Sequence, residues 1–262
     1  MRIPIVMCHG VSAKLTPERL ERYFGIAADL GFESIGYERL AAWRAGGGAL
    51  PPKPIFFDFD HPVRSLHTHL LPLMKRFGFK GNLFVNTLPM EKLYANGGHR
   101  APDREWMTWE ELGELKAAEW GIGAHTHTHP NLSILSREDP TGERLRWEFE
   151  TNDAILKQEL GVQPKDFAFT GTSWSRAAED EVRKRYRFGR LWIIGATYEA
   201  DGGSIRYADL AGVPGPDEPD GGPPLAARYI TKALDAYRLP SMELEKLIFE
   251  YEAYRRYLEG AS

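Results

Sequence analysis

The rhythm of the chain constrains its fold most: short apolar runs alternate with stretches patterned for helices, up to about residue 195. Such alternation is the mark of strand-helix units whose strands lie parallel in one sheet or barrel, an α/β class. Ile3 to Met7 reads as the first strand. Thr16-Pro17-Glu18 then opens a helix with a capping residue, a proline at the first helical position and an early acid, and Gly31 closes it. A short strand near Ser34 and Ile35 precedes the glycines at 46–48 and the prolines at 51, 52 and 54. Ile55 to Asp60 follows as a buried strand whose last residues turn acidic. A helix over Leu66 to Phe77 leads into a strand at Asn82 to Val85, and a helix over Trp109 to Glu119 leads into the strand Gly121 to His125. The pattern continues with a helix over Glu143 to Leu160, a strand at Phe167 to Phe169, a helix over Ala177 to Arg187 and a strand at Leu191 to Ile194. Gly212 to Pro224 is rich in Gly, Pro and Asp and reads as an irregular loop, about 211–224. Ser241 is expected to cap a final helix running to about Leu258.

The bulk properties narrow the function classes. With 262 residues and 42% hydrophobic content, the chain can form one domain with a substantial core, 1–262. A net charge of -4, with Lys and Arg scattered among acids, gives no long-range attraction to nucleic acid or to an anionic membrane. No run of about 18 apolar residues occurs, so no membrane span is expected. The lone Cys8 cannot make an internal disulfide, and in the apolar run after Ile5-Val6-Met7 it reads as a buried, inert thiol. The first residues carry no signal-peptide pattern, so a cytoplasmic location is expected, or secretion if a leader has been removed.

Two segments carry chemistry. His125-Thr126-His127-Thr128-His129-Pro130 puts three imidazoles into five residues at the end of an expected strand. Neutral imidazole is a preferred zinc donor, and ligands a few residues apart across a turn converge on one ion. Pro130 pushes His129 away from helical backbone, and strand ends entering loops are where active sites of such folds collect. The bland alternative is a hydrogen-bonded, histidine-rich turn. The second segment is Asp58-Phe59-Asp60-His61. With a period of 2, Asp58 and Asp60 share one face of the strand and Phe57 and Phe59 the other. Two like-facing carboxylates there are costly without a cation, a shared proton or water, and a metal site would supply the cation. The alternative is that Asp60 caps a helix whose first turn holds Pro62.

Together these residues resemble the polysaccharide deacetylases of carbohydrate esterase family 4, also called the NodB homology domain. The family's second motif is His-(Ser/Thr)-x-x-His-Pro, and Ile122-Gly-Ala-His125-Thr-His-Thr-His129-Pro130-Asn-Leu132 matches it, preceded by the similar Met107-Thr-Trp109-Glu-Glu-Leu112. Ile5-Val-Met-Cys-His9-Gly-Val11 and the stretch from Leu70 through Pro72 and Phe77 to Phe84-Val85 also resemble members of the group. The resemblance is well supported from about residue 3 to 135 and continues more weakly to about 195. It implies a distorted (β/α) barrel of about seven strands and a metal-dependent amidohydrolase that deacetylates an N-acylated sugar or related amide.

The family's first motif is Thr-Phe-Asp-Asp-Gly, in which the first Asp is the base and the second binds the metal. This chain departs from it. Either Asp58 is the base with Phe59 at the metal position, or Asp60 is the base with His61 there. Counting back without a gap from Pro72 and from the Asn82 strand favours Asp60 and His61, with Asp58 where the family has Thr or Ser. The implied metal ligands are His61, His125 and His129, a set suited to Zn2+ with a position left for water. Asp58 would restore the charge lost with the missing carboxylate ligand. The third motif corresponds only loosely to Phe167 through Trp174, and no histidine follows His129, so the family's late Leu-x-His motif is absent. Asp58, His9 or metal-bound water remain as sources of the second proton, and His9 and Trp174 are candidate substrate contacts, the alternatives being a hydrogen-bonded strand-end residue for His9 and a core tryptophan for Trp174. His127 is a secondary ligand candidate; His67, His69 and His99 read as surface residues. The competing readings are a deacetylase-like protein that binds metal or sugar without turnover, and a cyclic amide or imide hydrolase of the same fold.

Overall fold

The computed structural model describes residues 1–90 and 106–261. Seven parallel strands form a closed ring: β1 (Ile5–Cys8), β3 (Pro54–Asp60), β4 (Asn82–Val85), β5 (Gly121–Ala124), β6 (Asp166–Ala168), β8 (Phe188–Ile193) and β11 (Leu239–Glu243). Pairing of β1 with both β3 and β11 closes it. The short β2 (Glu33–Ser34) hangs on the start of β3, outside the ring. This is the (β/α) barrel expected, and every strand end on its carboxyl side opens towards one face.

The residues of β3 show why it sits where it does. All of Pro54–Asp60 is buried, as a strand covered on both faces must be. Phe57 meets Phe24 of α1 (Pro17–Asp29) edge to face at 5.2 Å, and Phe59 stacks on Trp120 at 5.1 Å, so this side faces the helical layer. Phe56, Asp58 and Asp60 point the other way, into the lumen. There Phe56 packs at 4.7 Å against Tyr37, the first residue of α2 (Tyr37–Arg44), which also touches Phe84 and Phe188 and plugs the lower end. Gly123 on β5 is required by that packing: a Cβ there would lie 2.5 Å from the Phe84 ring.

The outer layer continues with α3 (Leu71–Arg76), α4 (Trp109–Ala117), α5 (Leu132–Glu138), α6 (Glu143–Leu160) and α7 (Arg176–Arg185). The helix expected over Leu66 to Phe77 is divided: Leu66–Leu70 is a π turn and α3 begins at Leu71. Pro72 has no N–H to return to Thr68 and its ring would crowd that carbonyl, and a wider turn resolves both. A small second sheet, β7 (Ser173–Trp174), β9 (Thr197–Ala200) and β10 (Gly203–Arg206), and the helix α8 (Tyr207–Ala211) are separate from the ring of strands. Ser241 does not cap a helix. It lies inside β11, and the last helix, α9 (Tyr251–Glu259), starts ten residues later. Leu239, Met242 and Leu244 are buried, so this stretch is used as a barrel strand before any helix can start. Among the described residues no helix is long and apolar enough to cross a membrane.

Candidate metal centre

Three imidazoles meet at the carboxyl end of the barrel. His61 follows β3 directly, and His125 and His129 follow β5; one nitrogen from each lies within 4.8 Å of the others. Their ring centroids are 4.7–5.1 Å apart. Backbone hydrogen bonds from β4 fix both loops: His61 N–H donates to the Phe84 carbonyl at 3.0 Å and His125 N–H to that of Val85 at 3.1 Å.

The loops are held in conformations that cost energy. His61, Thr126 and His129 have φ of 66°, 61° and 61°, a left-handed region that is rare for a β-branched residue such as Thr126. Local hydrogen bonds offset that cost. Thr126 Oγ1 accepts the His129 N–H at 3.1 Å. Glu148 of α6 accepts the N–H groups of His127 and Thr128 at 3.0 and 2.7 Å, and its other oxygen accepts the Thr128 hydroxyl. Glu148 was not foreseen from the sequence, where it is one acid among many on a charged helix.

The donor set fits a cation. His125 Nδ1 donates to the Ala168 carbonyl at 2.9 Å, which fixes the proton there and leaves Nε2 with a lone pair. That Nε2 is buried and, among the described residues, has no hydrogen-bond partner. An orphaned acceptor in a buried place is expensive, and a metal ion would satisfy it. Burial, opposed by Asp60, holds the His125 imidazole well below the usual histidine range, so it is neutral. His127 is turned elsewhere: its Nδ1 meets Thr87 Oγ1 at 2.8 Å and its ring stands edge-on to Trp147 at 5.2 Å.

Beneath the imidazoles lies a buried charge cluster whose cation comes from the opposite side of the ring. Asp60 Oδ2 is 3.8 Å from His125 Nε2. Arg190 of β8, completely buried, grips the Asp60 carboxylate with both terminal nitrogens, one of them 3.1 Å from Oδ2. Its Nε is 3.5 Å from Asp58 Oδ2. Asp58 also accepts from the Tyr37 hydroxyl at 2.6 Å and from Asn82 Nδ2 at 3.2 Å. Burial raises the Asp58 carboxyl to about 7 in spite of Arg190 and Tyr37. Burial acts on Asp60 in the same sense, but Arg190, with His125 and His9, outweighs it and holds this carboxylate below its usual range. The argument that two inward carboxylates need a cation is therefore answered by Arg190. Asp58, wholly enclosed by these partners, is part of the support for Arg190 and Asp60 and not a second acid at the mouth of the barrel.

His9 follows β1 directly and stacks on His61 at 5.5 Å. Its Nδ1 is 3.6 Å from Glu243 Oε2 at the end of β11. The Trp192 indole N–H donates to the same oxygen at 2.5 Å, and burial raises the Glu243 carboxyl to about 7. Trp174 does not join this group. It is 4% exposed and its indole N–H is bonded to Glu179 at 2.8 Å, so it is a core residue with no face to offer a sugar. His67 pairs with Glu114 and His69 with Thr68, as outlying positions would; His99 lies outside the described residues. The Cys8 thiol is buried and pushed up by that burial.

The model of the family described as polysaccharide deacetylase matches residues 47–186, more than half of the chain. The chain belongs to the polysaccharide deacetylase family. Its members are hydrolases acting on the amide bonds of acetylated sugars, and this chain is an enzyme of that class. The barrel is also similar to solved structures. A deacetylase of Streptococcus pyogenes, PplD, seen with acetate, superimposes with a TM-score of 0.62 at 18% identity over 74% of this chain and 85% of that one. A de-N-acetylase of Aggregatibacter actinomycetemcomitans gives 0.62 at 13% identity, over 73% and 88% of the two chains. IcaB of Ammonifex degensii gives 0.58 at 18% over 72% and 83%. At such identities the superpositions speak for the fold. No curated sequence matches the chain.

Proposed function

We propose that this polysaccharide deacetylase removes an acyl group, acetyl foremost, from an N-acylated sugar or a related soluble amide, using a divalent metal ion held on His61, His125 and His129. The observation that carries the reading is the convergence of three imidazole nitrogens within 4.8 Å, one of them a buried and unpartnered Nε2, beside the Asp60 carboxylate. Three neutral nitrogen donors match zinc better than magnesium or calcium, which take oxygen ligands. The chemistry supplied by such an ion, if held there, would be Lewis acidity towards a water and the acyl oxygen.

The remaining steps belong to the chain's own residues. Asp60, kept ionised by Arg190 and 3.8 Å from His125 Nε2, takes the proton of the attacking water on Oδ2. The bidentate guanidinium prevents the carboxylate from rotating as it does so. His9, stacked on His61 with Nδ1 directed at Glu243, is the group placed to pass a proton to the departing amine nitrogen. This replaces the late histidine that the sequence lacks.

The test is elemental analysis of the purified protein together with acetate release from N-acetylglucosamine oligomers before chelation, after chelation and after zinc is returned. One bound metal per chain and activity that is lost and restored are expected. Acetate release that survives complete metal removal would refute the metal reading.

A further inference from the structure

The three residues after β4 touch both loops that carry imidazole ligands. On one side, Asn86 Oδ1 lies 2.8 Å from His61 Nδ1. On the other, Thr87 Oγ1 lies 2.8 Å from His127 Nδ1, and the Leu88 N–H donates to the His127 carbonyl at 3.0 Å. Asn86 and Thr87 are buried, 4% and 0% exposed. The segment Asn86-Thr87-Leu88 is thus wedged between the turn after β3 and the turn after β5.

A neutral imidazole carries one N–H, and the bond that nitrogen makes decides which nitrogen is left to bind a metal. An amide oxygen accepts and cannot donate, so Asn86 Oδ1 places the His61 proton on Nδ1. Nε2 then keeps its lone pair for the cluster. His125 is set in the same way by the Ala168 carbonyl, so these two ligands share one tautomer. His61 needs such a constraint: it leaves β3 at a φ of 66°, where the N–H bond to the Phe84 carbonyl holds its main chain but not its ring.

We propose that Asn86 is a positioning residue of the metal centre, selecting the tautomer and ring orientation of His61 that make an imidazole serviceable at this position. The proposal rests on the metal-binding reading above. Outer ligand partners of this kind are worth about 10- to 100-fold in metal affinity.

The experiment is a competition titration of Zn2+ between a chelating indicator and the full chain, stripped of metal, for the parent, Asn86→Ala and Asn86→Asp. The same samples are titrated with Co2+ and followed by visible absorption, and each is melted without metal. Asn86→Ala is expected to weaken zinc by about 10- to 100-fold and to alter the cobalt spectrum. Asn86→Asp, which keeps an oxygen acceptor, is expected to match the parent within about threefold or to bind more tightly. Parent-like zinc affinity in Asn86→Ala, or an Asn86→Asp variant as weak as Asn86→Ala, overturns the proposal. Failure of the parent itself to bind zinc instead removes the metal reading on which it stands.

Discussion

Replacing Arg190 with methionine keeps most of the side-chain volume and deletes the guanidinium enclosed with Asp58 and Asp60, which are 0% and 3% exposed. Removing one partner of a buried ion pair costs about 3–5 kcal/mol, because the charge left behind is uncompensated. The loss should depend on pH, and its sign follows from the two carboxylates. Asp58 titrates at about 7 in the fold against an ordinary 3.8. The folded chain therefore holds a proton that the unfolded chain has released, and stability falls as pH rises between those values. Asp60 is held in the opposite sense, so its contribution is present above the ordinary value and is lost as pH falls below it. Without Arg190, burial is opposed on Asp58 by the Tyr37 and Asn82 hydrogen bonds and on Asp60 by His125 and His9 but loses its main counterweight, and Asp60 joins Asp58 in resisting ionisation. The deficit of the variant should be about 1 kcal/mol near pH 4, where protonated carboxyls are tolerated, and reach the full 3–5 kcal/mol by about pH 8. For a chain of this size that corresponds to a fall in Tm of roughly 6–20 °C at the higher pH. Urea denaturation followed by circular dichroism, parent against Arg190→Met at the two pH values, measures it. A deficit under about 1 kcal/mol at pH 8, or one equal at both pH values, would refute the account.

Two further substitutions separate the parts of the site. Asp60→Asn should retain stoichiometric zinc by elemental analysis while lowering acetate release by about 10²- to 10⁴-fold, the range for loss of a positioned base. Glu148→Ala leaves the N–H groups of His127 and Thr128 without their acceptor. It should cost about 2–4 kcal/mol in chemical denaturation and weaken zinc binding, with Glu148→Gln intermediate because one oxygen remains.

The legible parts of this molecule are those encoded within a few residues of one another. The His125 to His129 cluster, the inward pair Asp58 and Asp60 and the strand-helix alternation each depend on local spacing. The barrel keeps that spacing because the pleat of β3 separates Phe57 and Phe59 from the two acids. Arg190 was hidden because its reason lies 130 residues away. A single arginine inside Phe188-Gly-Arg-Leu-Trp-Ile is a signal nonetheless, since a buried strand does not carry a cation unless a counter-ion meets it. Ser241 misled for the opposite cause: it is a good cap by type, but its neighbours Leu239 and Met242 are needed in the core. Trp174 reads equally as a sugar platform or a core residue, because residue type does not reveal exposure; the bond to Glu179 of α7 holds it inside.

The tie between Asp60 and Arg190 also bears on how the ring behaves as a mechanical object. β3 and β8 stand across the lumen from one another, whichever way round the strands are counted. On the arc joining them through β5 and β6, the ladder thins to one registered pair, Ala124 with Phe167. A charged strut spanning the interior keeps this narrow seam from parting, so the groups that prepare the carboxylate for chemistry also brace the wall that carries the histidines.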